Sequence, residues 1–380
     1  MIYLDYNATT PLDPRVLEAM LPYFTTHFGN ASSVDHLYGA EAERAVKQAR
    51  GQVADLIGCE PAEIVFTSGA TEADNLAVLG CAAYAGGDAQ VVVSAIEHPA
   101  VLESAATLGR RAVIAPVTNL GVVDAAQVER LMGEPTALVS VMAANNETGA
   151  VQPLADIASA CREAGVPFHT DAVQAAARMP LDVDQIDCDL MSLSAHKMYG
   201  PKGVGALYVR RRGRRTKLCP ILYGGAHERS LRGGTLNVPA IVGFGAAADL
   251  VRREGVADWQ RERNLRDTLI GMLRQVNGAV FNVPPDAALP QTLSVRFDLV
   301  AARALMHRLR ERVAMSAGSA CATLSSEPSH ALLAQGLTED DARRTVRISF
   351  GRFTTHEEIV QAAAAINEGV QELQLVASAA

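Results

Sequence analysis

The sequence predicts an α/β fold: a mostly parallel sheet of seven strands with helices on both faces, joined to a smaller α/β domain. Three observations lead there. From Glu63 to about Arg210, short apolar runs of strand length alternate with helical patterns, the rhythm of a parallel sheet built from crossovers. Polar residues with chemistry to offer (Thr71, His98, Asn146, Asp171 and Lys197) follow the carboxyl ends of those runs, where sheets of this kind collect ligands. Past residue 255 the order changes to strand, helix, strand, helix, which suits a second unit.

In chain order, a short arm precedes a helical pattern from Pro14 to Phe28. An amphipathic helix then runs from Ala40 to Ile57, with Val46, Ala49, Val53 and Leu56 on one face and Gly58 just past its end. The seven strand runs are Glu63 to Phe66, Val91 to Ala95, Ala112 to Pro116, Ala137 to Ala143, Val166 to Thr170, Leu190 to Ser194 and Val204 to Val209. Helices from Val238 to Arg252 and from Trp259 to Val276 lead into the smaller unit. Its elements are Thr292 to Phe297, Ala301 to Arg310, Arg344 to Phe350 and Glu357 to Leu373. The expected division is a large domain over 12–254 and a small domain made of 1–11 and 255–380, with fraying after Val376.

With 380 residues, 49% of them hydrophobic, the chain can bury enough surface for two domains. A net charge of −8 argues against nucleic acid as a partner, and the basic run from Arg210 to Arg215 reads as a solvated loop rather than a binding patch. The N-terminus lacks a basic segment followed by a long apolar core, and no apolar run reaches about 18 residues, so a soluble cytoplasmic protein is expected. Six cysteines are scattered without metal-ligand or C-x-x-C spacing, and no metal is expected. Cys321 stands apart in the small-residue run Ser316 to Thr323, which suits an accessible loop with a reactive thiol and equally suits an ordinary surface turn.

Lys197 ends the stretch Ser194-Ala195-His196-Lys197 after the apolar run Leu190 to Leu193. A lysine there either reaches out to water or is desolvated into the neutral amine that attacks a carbonyl. Its neighbours favour the second reading, because together they offer what pyridoxal phosphate needs. Asp171 closes an apolar strand and can hold a pyridine nitrogen protonated; Gln174 can reach the ring hydroxyl. Thr67-Ser68-Gly69-Ala70-Thr71-Glu72 follows a strand and opens a helix, the usual way to seat a phosphate, with Ala70 and Thr71 in the first turn. His98 can stack on the ring. Other features have plainer readings: Gly200 to Gly205 as a turn, Gly224 to Thr235 as a surface loop, Arg347 as a strand arginine, His36 and His169 as structural.

At this point the chain resembles the cysteine desulfurases of the NifS/IscS type, within the fold-type I pyridoxal phosphate enzymes. The resemblance rests on Tyr3 to Pro11, Thr67 to Asn75, Glu97-His98, Asn145-Asn146-Glu147, His169 to Gln174 and Ser194 to Gly205. It continues through His227-Glu228-Arg229, Gly234-Thr235, Ser319-Ala320-Cys321 and Arg347 to Phe353, and so covers nearly the whole chain. It implies pyridoxal phosphate on Lys197, with Thr71, Ser194 and His196 at the phosphate and Thr235 reaching the phosphate of the other subunit of a homodimer. It further implies L-cysteine as substrate, its carboxylate on Arg347 and Asn146, with Lys197 taking the Cα proton. His98 would stack on the ring and shuttle protons, and Cys321 would receive the sulfur as a persulfide while alanine leaves. An iron-sulfur scaffold or another sulfur acceptor would follow, although the chain stops soon after its last helix, where many relatives carry a docking tail. Ala31, Ala195, Ala226 and Gly233 depart from the family pattern without removing a reactive group. A selenocysteine lyase, or another lyase or aminotransferase on the same fold, is the alternative. A non-catalytic sulfur carrier and a nicotinamide dehydrogenase are the remaining rivals; the latter lacks a G-x-G-x-x-G after its first strand.

Overall fold

The computed structural model describes residues 1–133, 135–318 and 327–378. Twelve strands are seen among them: β1 (Ile2–Tyr3), β2 (Ile64–Thr67), β3 (Gln90–Ser94), β4 (Ala112–Ala115), β5 (Thr136–Ser140) and β6 (Phe168–Asp171), followed by β7 (Leu190–Ser194), β8 (Gly205–Val209), β9 (Ala279–Phe281), β10 (Thr292–Phe297), β11 (Val313–Ala314) and β12 (Thr345–Ser349). Seven form one sheet in the order β2-β8-β7-β6-β5-β3-β4. Only β8 runs against its neighbours. The link from β7 to β8, residues 195–204, is too short for the crossover that a parallel pair needs, so the chain turns straight back. Val91, Val92, Val93, Leu138 and Leu190 are fully buried, as expected of strands covered on both faces.

Where the helices differ from expectation, the reason is local. The first pattern splits into Pro14–Met20 and Pro22–Thr25, because Pro22 cannot donate the hydrogen bond that would carry the helix on. The next helix, Leu37–Ile57, starts three residues early because His36 Nδ1 accepts the Gly39 N–H at 3.1 Å and caps it. Gly58 ends that helix at a φ of 71°. The expected break near residue 255 is absent: a single helix runs from Val238 to Leu273. A helical glycine costs about 1 kcal/mol, but at Gly255 it makes room for the Trp259 indole, whose Nε1 donates to Ala177 O at 2.8 Å.

That helix serves two hydrophobic cores. Its first half (Ile241, Phe244, Val251) packs with the helices and inner residues of the seven-stranded sheet. Its second half (Leu265, Leu269, Leu273) packs with Leu293, Val295 and Ile348 of the antiparallel sheet β12-β10-β9. The N-terminal arm joins this second core: β1 pairs with β11, Leu4 is fully buried, and Asp5 bridges to Ser349. Strands β1, β9 and β11, of two or three residues, carry no periodicity of their own and were not expected.

The basic run is exposed from Arg211 to Arg215, as expected of a solvated loop, but three of its arginines also reach inward. Arg214 grips the buried Asp189 with two bonds of 2.9 Å, Arg212 reaches Glu63 at 3.1 Å, and Arg210 donates to Cys188 O at 2.9 Å. Every second residue therefore faces a buried acid or carbonyl, and the run closes over the edge of the sheet. Among the described residues, no helix is long and apolar enough to cross a membrane.

Candidate active site

A cavity of about 600 Å³ opens at the carboxyl ends of the central strands. The end of β7 contributes Ser194, His196 and Lys197; β6 contributes Asp171 and, just beyond, Gln174. His98 arrives after β3, Asn146 after β5, Ala70 and Thr71 after β2, and Arg347 from β12 across the cavity. All ten were expected from the sequence.

Lys197 sits in the 3₁₀ turn Ala195–Lys197 and is half-buried. Its Nζ donates to Asn7 O and to Ala8 O, the latter at 2.8 Å. The N-terminal arm thus aims the amine, a role that the sequence did not disclose. Thr10 locks the arm to the turn, donating from N and Oγ1 to His196 O at 3.0 and 2.9 Å while its Oγ1 accepts the Tyr199 N–H at 2.8 Å.

Asp171 is buried, and its Oδ1 accepts the Val173 N–H at 2.9 Å. Burial raises its pKa to about 6, against the pull of Lys197. Gln174 Nε2 donates to Asn7 O at 3.0 Å. Behind Asp171, His169 spends Nδ1 on Ser140 Oγ at 2.8 Å and Nε2 on Ser192 Oγ at 2.9 Å, and burial keeps the ring neutral.

At the other end of the cavity, the helix Ala70–Ala85 starts with first-turn N–H groups that have no helical acceptor. Its approach depends on two glycines: a Cβ on Gly205 would lie 2.7 Å from the carbonyl carbon of Gly69 and 2.6 Å from Leu193 O. His196 pairs Nδ1 with Thr9 Oγ1 at 3.1 Å; burial, then Lys197 and Lys202, push its pKa down to about 4. Lys202 and Gly203 also line the cavity, so the stretch read as a plain turn adds a cation. Its position directly after the lysine turn was the available signal.

His98 caps the helix Pro99–Ala106 by accepting the Ala100 N–H on Nδ1 at 3.1 Å, which leaves the ring proton on Nε2. Burial, with Lys197 and His330, lowers its pKa to about 4. Beneath it, the buried Glu97 accepts from Ser94 Oγ and from Met142 N, the latter at 2.7 Å. Arg347, almost fully buried, donates to Asn146 O at 3.0 Å and to Asp5 Oδ1 at 2.7 Å, and its Nε has no hydrogen-bond partner among the described residues.

Of the other two expected residues, one stands elsewhere and one is not described. Thr235 lines a separate hollow of about 250 Å³ with Tyr23, Phe28 and Asn237. Cys321 lies outside the described residues; the segment leading to it leaves from beside Arg347, where Ser316 and Arg347 exchange backbone hydrogen bonds of 3.1 and 2.6 Å. Asp74, which lines the cavity, was not expected. No group of three or more metal-ligating side chains stands together among the described residues.

The sequence pattern described as Aminotransferase class-V matches residues 2–361. The chain belongs to this family. Among class-V relatives, it is 50% identical over 380 residues to "Cysteine desulfurase IscS" of Anaeromyxobacter dehalogenans (strain 2CP-C), covering 98% of this chain and 93% of the other. A solved "NIFS-LIKE PROTEIN" superposes with a TM-score of 0.90 at 36% identity, over 97% of this chain and 98% of its own. Another, "SspA in complex with cysteine", has a TM-score of 0.81 at 38% identity, over 93% and 100%. Class-V enzymes of this kind use pyridoxal phosphate, and the cavity fits it. It has the volume of a cofactor site, a buried carboxyl for the ring nitrogen, a lysine for the aldehyde, and a glycine-lined helix start with Ser194 and His196 for the phosphate.

Proposed function

We propose that this cavity is the active site of a cysteine desulfurase that converts L-cysteine to L-alanine and hands the sulfur to Cys321. The observation that carries the reading is the convergence of Lys197, Asp171 and Arg347 on one cavity, with the segment toward Cys321 hydrogen-bonded to Arg347 at its start. Identity of 50% to a chain named cysteine desulfurase IscS supports the same reaction here.

When bound, pyridoxal phosphate supplies an electron sink for charge at the substrate Cα. Ala70, Thr71, Ser194 and His196 would hold its phosphate, Asp171 its ring nitrogen, Gln174 its ring hydroxyl and Lys197 its aldehyde carbon. Arg347 and Asn146 bind the substrate carboxylate, the guanidinium through a fork that suits two oxygens. Lys197 Nζ, aimed by the Asn7 and Ala8 carbonyls, removes the Cα proton. His98, neutral and carrying its proton on Nε2, would stack on the ring and shuttle protons. The Cys321 thiolate attacks the substrate sulfur: the new S–S bond forms, the substrate C–S bond breaks, and the carbon skeleton takes up one proton at Cβ and regains one at Cα to leave as alanine.

The same reading makes the protein a homodimer. Thr235 lines a hollow apart from its own cavity, together with Phe28, which is 65% exposed, so that a partner subunit would bury the aromatic ring and receive Thr235 at its phosphate. It divides the chain into a large domain, 12–254, and a small one, 1–11 with 255–380, each built on one of the two cores. The five described cysteines are all free, which suits the reducing cytoplasm. The persulfide then passes to an acceptor thiol or an iron-sulfur scaffold.

The test is to record absorbance of the purified protein with pyridoxal phosphate before and after L-cysteine, assaying alanine and persulfide together. Wild type should give a visible cofactor band and both products. Lys197→Ala should alter the band, and both Lys197→Ala and Cys321→Ala should lose both products. Cysteine turnover by Cys321→Ala would overturn the persulfide step, and selenocysteine cleavage alone would favour a selenocysteine lyase. Absence of any band would overturn the enzymatic reading.

A further inference from the structure

Asp74 has no role in the steps above. It lies one turn into the helix Ala70–Ala85, is fully buried and lines the cavity, yet neither carboxyl oxygen has a hydrogen-bond partner among the described residues. The groups that face it come from three elements. Strand β6 presents Asp171 and His169, whose Nε2 stands 3.7 Å from Asp74 Oδ1; β7 presents Ser192, already engaged by His169; the turn after β3 presents Glu97. Neither a lysine nor an arginine acts on it from these elements.

A carboxylate in this position would be a second buried negative charge beside Asp171. Two such groups in one dry cavity cannot both ionise at neutral pH, and the better solvated one keeps the charge. Asp171 has the Val173 N–H at 2.9 Å and the attraction of Lys197. Asp74 has neither.

We propose that Asp74 is the proton-carrying member of a carboxyl pair with Asp171, a positioning residue whose acid form keeps the carboxylate charge in this part of the cavity to one. Burial first, then the nearby Asp171, raise its proton affinity, and the opposing pull of the Ser192 hydroxyl is smaller than either, in keeping with this assignment. A single carboxylate matches a single protonated ring nitrogen, whereas a second would leave the cavity floor with an unbalanced charge. The inference rests on the cofactor reading given above, and its test separates the two.

Infrared difference spectra of the chain, free and loaded with pyridoxal phosphate, compare wild type with Asp74→Asn and with Asp74→Ser. Loss of a protonated-carboxyl band in both variants is the expected result; a lost carboxylate band in its place would overturn the proposal. Titration with pyridoxal phosphate gives the second readout. Asp74→Asn, a neutral isostere, should bind within about twofold of wild type, whereas Asp171→Asn should bind weaker by about tenfold or more. A loss in Asp74→Asn equal to that in Asp171→Asn would overturn the proposal, since only an anion at both positions explains it. If wild type bound no cofactor, the cofactor reading would fail while the infrared assignment on the free chain still stood or fell by itself.

Discussion

Arg347 Nη2 donates to Asp5 Oδ1 at 2.7 Å, so the guanidinium assigned to the substrate carboxylate already has an acid from the N-terminal arm beside it. With Nη1 on Asn146 O and Nε without a partner among the described residues, the fork is held in place by these two contacts. Asp5 both orients Arg347 and competes for it. In Asp5→Asn the competing charge is gone and the orienting oxygen stays, so KM for cysteine should fall by a few fold. Arg347→Lys should raise KM by about tenfold or more, because a point charge cannot serve three acceptors in fixed directions. Steady-state kinetics reads both, and an unchanged KM in the lysine variant would remove Arg347 from substrate binding.

Gly205→Ala should weaken cofactor binding and destabilise the chain by about 2 kcal/mol. Its Cβ would stand 2.6 Å from Leu193 O and 2.7 Å from the Gly69 carbonyl carbon, both backbone atoms that cannot step aside cheaply. Gly203→Ala is the control: that glycine has open space but a φ of 81°, so only backbone strain of about 1 kcal/mol applies. Thermal melts and cofactor titrations should rank the two in that order.

Glu97 predicts a pH effect with a definite sign. Burial raises its pKa to about 8, and its Oε2 has no hydrogen-bond partner among the described residues. The folded chain therefore binds a proton that the unfolded chain releases above the ordinary carboxylate range. Stability from this group is full in acid and falls as pH rises toward 8, by about 1.4 kcal/mol per unit at most, then stays level. Glu97→Gln cannot ionise, so its stability relative to wild type should improve from about pH 5 to about pH 8 and then plateau. Urea denaturation across that range measures it; a constant difference would rule the assignment out.

The clasp formed by the basic run makes a prediction within one short segment. Arg214→Ala would leave Asp189 buried and short of its charge partner, at a cost of about 2 kcal/mol, less than for a fully buried pair because Arg214 is 39% exposed. Arg211 makes no ion pair among the described residues, and Arg211→Ala should change stability little. Comparable melting temperatures for the two variants would show that the clasp adds no stability.

The seven strands of the main sheet were legible because each is a short, largely apolar run set between helical patterns, and burial in the sheet favours such runs. The residues at their carboxyl ends could be found by position alone, which located Lys197, Asp171, His98 and Asn146. Contributions from distant parts of the chain left no such trace. Asn7 and Ala8 act on Lys197 through backbone carbonyls, which any side chain would supply. Asp74 lies among buried alanines and leucines on a helix with little amphipathic contrast, so nothing in the local pattern separates it from a surface acid. Arg212 and Arg214 looked solvated because their buried partners, Glu63 and Asp189, are unremarkable acids in sequence. Gly255 suggested a helix break because the space taken by Trp259 cannot be read from one glycine.

The unbroken helix Val238–Leu273 makes the two cores share a single beam about 54 Å long. Melting either core would strip the apolar cover from half of that helix and expose the other half's hydrogen bonds to fraying. Separate domains joined by a loop can unfold in turn, but here the first loss undermines the second. The chain should therefore give a single calorimetric transition, with the amide protons around Gly255 exchanging as slowly as those of either core.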